Sequence, residues 1–198
     1  PFSRTRRQTR FGFKSRGLGD VYKRQFKKEL KEKFIIYDVT FDLTKPPHHQ
    51  LNTSYGAIES TLEEWGVSSP SIHDVSNAVI AIRQSKLPDP AKIGNSGSFF
   101  KNPAISNDQF NELKQEFPEL PGFPMGQMAT KVPAGWLIER CGWKGFERNG
   151  VGVHKKQALV LVNYGDGRGE DVEKLARAIQ ESVESKFGIT LHPEVNIL

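Results

Sequence analysis

Val151-Gly152-Val153-His154, Ala158-Leu159-Val160-Leu161-Val162-Asn163 and the run from Glu170 to Phe187 decide how this chain folds. The first two read as strands. The second is apolar at successive positions, as a strand buried on both faces would be. The third reads as a helix. Val172, Leu175, Ile179, Val183 and Phe187 recur at helical spacing, and acidic residues crowd its first turn, where the helix dipole favours them. Two strands followed by a long amphipathic helix define an α+β arrangement.

Working outward, the same signals mark the flanking elements. Ser71 can cap a helix, with Asp74 three residues on, and Val75, Ala78, Val79 and Ile82 form its apolar face. That helix is expected to run to about Lys86, because Leu87-Pro88-Asp89-Pro90 is a stiff linker that disfavours helix. A domain boundary is expected there. Asn95-Ser96-Gly97-Ser98 reads as a glycine-containing turn running into Phe99-Phe100. Ser106 with Gln109 starts another helix, whose apolar face is Phe110, Leu113 and Phe117. Residues 118–126 read as a Pro- and Gly-rich loop. Ala134 to Cys141 reads as a short buried helix stopped by Gly142. Nearer the start, Thr61 to Trp65 reads as a short helix. Phe34 to Leu43 reads as a strand, ended by Pro46-Pro47.

The whole chain has 198 residues, 36% hydrophobic and 26% charged, enough for one large domain or two small ones. No run approaches the roughly 18 apolar residues of a membrane span. The one cysteine, Cys141, excludes an internal disulfide and a multi-cysteine zinc site, which points to a reducing, cytoplasmic setting. The net charge of +5 is uneven. Residues 1–33 hold 12 Lys and Arg against 3 Asp and Glu, whereas residues 34–198 hold 16 against 20. The basic character therefore belongs to a leader, and the acidic body disfavours a nucleic-acid partner. The chain begins at Pro1 without an initiator methionine, and it is expected to be a fragment that has lost its start. Residues 15–25 resemble a translated sequencing adapter, so residues 1–25 are expected to be a disordered leader without folding information.

No HExxH, GxSxG or Walker pattern is present. The candidates are polar residues beside glycines and prolines. Ser98 follows Gly97 and precedes two phenylalanines; it is either a turn residue or a hydroxyl held into a cleft. Asn102 precedes Pro103. Lys86, Lys144 and Gln157 could contact phosphate or sugar, lysine being a mobile point charge suited to a diphosphate. His154 could be a base or a structural histidine. Glu194 lies between Pro193 and Val195, an apolar setting that could raise its pKa and make it a general acid.

Five motifs, in order along the chain, carry a resemblance. They are Lys86-Leu87-Pro88-Asp89-Pro90, Gly94-Asn95-Ser96-Gly97-Ser98-Phe99-Phe100-Lys101-Asn102-Pro103, Ala134-Gly135-Trp136-Leu137-Ile138-Glu139, Val153-His154-Lys155-Lys156-Gln157-Ala158-Leu159-Val160 and Leu191-His192-Pro193-Glu194-Val195. From about Phe26 to Leu198 the chain resembles the C-terminal half of the MurB family, the UDP-N-acetylenolpyruvoylglucosamine reductases. The resemblance implies residues 26–87 as a remnant of the flavin-binding region with its connecting helix, and 88–198 as the substrate-binding domain. It implies a flavoenzyme of peptidoglycan synthesis that uses NADPH and FAD to reduce the enolpyruvyl double bond of a UDP-sugar. In it, Ser98 stands at the family's serine proton donor and Glu194 at its C-terminal catalytic glutamate. Tyr55 matches a substrate-binding tyrosine of the longer, type I members, and Lys86, Asn102, Lys144 and Gln157 match positions lining the UDP-sugar site.

The departures are as informative. Phe11-Gly12-Phe13-Lys14 resembles a family Phe-Gly-Tyr-Arg whose arginine is catalytic, but Lys14 lacks the two-donor fork of arginine. No Gly- and Ser-rich pyrophosphate loop for FAD occurs in the sequence, so the chain alone is expected to be inactive. The alternative is a stand-alone UDP-sugar-binding module. Retention of both Ser98 and Glu194 argues against it, since a pure binder needs no proton donor. The expected partner is the UDP-sugar, with no nucleic acid and no membrane.

Overall fold

The computed structural model describes residues 43–45, 48 and 50–197. The expected leader, Lys14 and almost all of the strand expected over 34–43 lie outside the described residues. The chain divides into two compact units, 1–50 and 51–198, and all the elements named here belong to the second. In the first, the described residues are exposed and outside any helix or strand.

The second unit opens with two helices, α1 (Ile58–Glu64) and α2 (Ile72–Lys86). They pack on each other through Ile58, Leu62 and Ala78, flanked by Val67, Val75, Val79 and Ile82. Ser71 caps α2 in a full capping box with Asp74. The Ser71 hydroxyl, and then its backbone N–H, hold the Asp74 carboxyl below its ordinary value. After α2, Asp89 organises the linker by accepting the N–H of Ala91 on Oδ1 at 3.0 Å.

An antiparallel four-stranded sheet follows, in the order β1 (Gly94–Ser98), β7 (Val160–Asn163), β6 (Val151–Val153) and β5 (Glu147–Arg148). A three-stranded antiparallel sheet has the order β2 (Ala104–Ser106), β4 (Ala129–Lys131) and β3 (Phe123–Met125). The helices α3 (Asn107–Glu116), α4 (Ala134–Arg140) and α5 (Gly169–Phe187) complete the unit. Leu175, Ala176, Ile179, Val183 and Phe187 of α5 are buried in one core with Leu137 and Ile138 of α4 and Val151 and Val153 of β6. β7 lies between two partners and is buried at Val160, Leu161 and Val162, as the apolar run predicts. Gly188, at φ +61°, ends α5 in the left-handed conformation that glycine adopts without strain.

Two readings need correction. Residues 95–98, expected to be a turn, form part of β1, with the turn character absorbed in a bulge between Asn95 and Ser98. Gly97, at φ +75°, sits in that bulge. The Pro- and Gly-rich segment 118–126 contains β3. Its Pro124 is tolerated because β3 pairs only with β4, so a missing N–H on the free side breaks no ladder bond. Among the described residues no helix is long and apolar enough to cross a membrane.

Candidate functional site

The bulge in β1 fixes Ser98. Gly97 donates its N–H to Asn95 Oδ1 at 3.1 Å, and Ser98 then lies opposite Val160 of β7. Phe99 donates its N–H to the Leu159 carbonyl at 2.9 Å. Phe99 and Phe100 are buried and stack edge-on, 5.0 Å between ring centroids. They anchor the strand end, so the exposed serine before them has little freedom to move.

The C-terminal segment returns to the same place. Lys101 donates its N–H to the His192 carbonyl at 2.9 Å, and Phe100 pairs with Pro193. Glu194 donates its N–H to the Phe99 carbonyl at 2.8 Å. The backbone thus sets Glu194 opposite Phe99, the neighbour of Ser98. Both side chains are exposed. Glu194 therefore does not occupy the apolar setting expected from its flanking Pro193 and Val195.

A third group gathers at the N-terminus of α4. Asn102 Oδ1 accepts the Ala134 N–H at 2.9 Å. Gln157 Oε1 accepts the Leu159 N–H at 3.4 Å. A Cβ at Gly135 would lie 3.2 Å from Gln157 Oε1, close enough that the amide would have to shift. These contacts close a ring: Phe99 to Leu159, Leu159 to Gln157, Gln157 beside Gly135, Ala134 to Asn102, and Lys101 through His192 to Glu194 and back to Phe99, with Ser98 joined to it through the backbone of Phe99.

The ring has a definite chemistry. Both amide oxygens face backbone N–H groups, so Asn102 and Gln157 present their NH2 groups as donors. Lys101, Lys155 and Lys156 are exposed around it. Sequence spacing did not single these three out, although each stands inside a quoted motif. Donors and cations together suit an oxygen-rich anion. Lys144 stands at the edge. Its Nζ is ion-paired with Glu139 at 2.8 Å, and the next residue, Gly145, packs on Lys155 and donates its N–H to Val153. Tyr55 is 79% exposed in the turn before α1, and Lys86 is exposed in the last turn of α2. Neither takes part in the hydrogen bonds of the ring.

Asn102 therefore has a structural duty as well. Pro133, at the N-cap of α4, offers no side-chain cap, and Asn102 supplies the acceptor from a distance. Asn102→Ala is expected to destabilise the chain by about 1 kcal/mol, the size of a lost helix cap. Thermal unfolding would measure this, and an unchanged midpoint would show that water replaces the cap without cost.

Of two cavities, one of about 190 Å³ beside β1 and β7 shares Phe99 with the ring, and the other, of about 270 Å³, is lined by Trp143 and Phe146. Neither is lined by Ser98, Asn102, Gln157 or Glu194. The ring is defined by its hydrogen bonds and by the approach of Gln157 to Gly135.

The second unit is thus an α+β unit with a donor-rich ring at one edge of its four-stranded sheet. A family model described as "UDP-N-acetylenolpyruvoylglucosamine reductase, C-terminal domain" matches residues 89–198, more than half of the sequence, and the chain belongs to that family. It is 50% identical over 173 residues to the UDP-N-acetylenolpyruvoylglucosamine reductase of Flavobacterium johnsoniae, covering 87% of this chain and 51% of the relative. The reductase of Pseudomonas aeruginosa is 46% identical over 176 residues, 89% of this chain and 51% of the relative. That of Amoebophilus asiaticus is 49% identical over 173 residues, 87% and 50%. The chain spans about half the length of the curated relatives it matches.

Proposed function

We propose that this chain is the substrate-holding half of a cytoplasmic reductase. That enzyme acts on the enolpyruvyl ether of UDP-N-acetylglucosamine, with NADPH and FAD as cofactors, in peptidoglycan synthesis. Residues 88–198 would form the substrate domain. The observation that carries the reading is the ring joining Ser98, Asn102, Gln157 and Glu194, with Lys101, Lys155 and Lys156 around it.

Neither of the two cavities named above is large enough to enclose a flavin. Both cavities fall below the roughly 300–1,000 Å³ of pockets that enclose a drug-sized ligand. Flavin chemistry is therefore assigned to none of these residues. Their own roles follow from their chemistry. Lysine charges and amide donors hold the diphosphate and sugar oxygens. Reduction of a double bond beside a carboxylate needs a hydride, which the flavin cofactor would supply, and one proton at the other carbon, which the Ser98 Oγ–H supplies. A serine hydroxyl is a weak acid, so its oxygen recovers a proton through polar neighbours, of which Glu194 is the nearest along the paired backbones. Donors around the carboxylate stabilise the charge that develops on it.

Titration calorimetry of the full chain with the UDP-N-acetylglucosamine enolpyruvyl ether is expected to give saturable binding, weakened when Lys155 and Lys156 are both changed to alanine. Equal binding by that double variant would remove Lys155 and Lys156 from the site. The purified chain is also expected to be colourless. Flavin absorbance that stays with the purified chain would overturn the assignment of FAD to other residues.

A further inference from the structure

His154 is buried, 7% exposed, on the turn that carries Lys155, Lys156 and Gln157. Its backbone ties the turn at both ends: its N–H donates to the Val160 carbonyl at 2.9 Å, and its carbonyl accepts the Gln157 N–H at 3.2 Å. Its side chain adds a third tie, because Nδ1 accepts the Lys156 N–H at 3.4 Å. We propose that His154, as a neutral imidazole, is a positioning residue that fixes the 154–157 turn and so aims the Gln157 amide at the ligand. This rests on the substrate reading of Gln157 given above.

The chemistry requires the neutral form. A protonated Nδ1 is a donor and would face the Lys156 N–H, itself a donor. Burial disfavours the charge, and Lys156 and then Lys155 repel it, so the pKa lies below the ordinary 6.5. The neighbouring elements add little. The strands β6 and β7 carry only Val151 to Val153 and Val160 to Asn163, none titratable. The connection after α4 brings Lys144, ion-paired to Glu139. α5 meets β6 through its apolar stripe.

The test compares His154→Ala with His154→Asn, whose amide oxygen can stand where Nδ1 stands. Amide hydrogen exchange of Lys156 is expected to be protected in the parent and in the asparagine variant, and unprotected in the alanine variant. Affinity for the UDP-sugar substrate should fall about three- to tenfold in the alanine variant, the equivalent of one neutral hydrogen bond. The asparagine variant should restore it. In the parent, loss of affinity on acidification should track protonation of the imidazole followed by 15N NMR, and this coupling should vanish in His154→Asn. If asparagine restores neither protection nor affinity, or if affinity and imidazole titrate apart, His154 does not position the turn. If protection follows the expected pattern while no form binds the UDP-sugar, the substrate reading fails and the anchoring of the turn stands.

Discussion

Ser98→Ala is expected to lower turnover by about 10²–10⁴-fold, the contribution of a positioned proton donor, in a chain extended to carry the flavin-binding half. Binding should separate this role from a structural one. The side chain is exposed at the end of β1, so removing its hydroxyl leaves no buried group unsatisfied. The bulge depends on Gly97 and on Asn95 Oδ1, and the alanine variant keeps both. Calorimetry on the 198-residue chain should therefore show substrate affinity within about threefold of the parent. A loss of turnover with binding intact identifies a group that acts on the reacting carbon. Turnover within about tenfold of the parent would sink the assignment, and Glu194, opposite Phe99, would become the donor to test.

How far the sequence foretells this arrangement differs from element to element. α5 was legible because five apolar residues recur at helical spacing and buried positions follow them. α2 was legible because Ser71 and Asp74 form a local motif that needs no distant partner. The short strands were not. β2, β3, β4 and β5 have two or three residues each, too few for a period to show, and β3 contains a proline that spacing reads as loop. The candidate site divides in the same way. Ser98, Asn102, Gln157 and Glu194 stood out by their motifs, yet their closure into a ring runs through the carbonyls of Leu159 and His192. Backbone groups are the same in every residue type, so no side chain announces them. Tyr55 and Lys86 show the converse. Their motifs point to the substrate, but they sit on the turn before α1 and on α2, outside the ring's hydrogen bonds. Their part in binding is therefore a proposal that rests on resemblance alone.

Phe187→Ala should produce the largest loss of stability, about 3–5 kcal/mol. The ring is 3% exposed at the last turn of α5. It lies 5.0 Å from the Phe117 ring and 5.8 Å from Trp136, centroid to centroid, and so joins three helices or their ends. Truncation removes its contacts and leaves a void that Trp136 cannot fill without leaving Phe117, 6.2 Å away. Against a typical total of about 5–15 kcal/mol, the loss is large enough to bring the unit near its unfolding threshold. It should also reach the site, because Trp136 is in α4, whose Ala134 N–H meets Asn102 and whose Gly135 lies beside Gln157. Urea unfolding followed by near-ultraviolet circular dichroism would measure the change. Ile80→Ala provides the control, since Ile80 on α2 is 48% exposed and should change stability by no more than about 0.5 kcal/mol. If Phe187→Ala shifted stability by less than about 1 kcal/mol, the aromatic cluster would not be part of the core that holds the N-terminus of α4. The ring of polar residues would then owe its geometry to the two sheets alone.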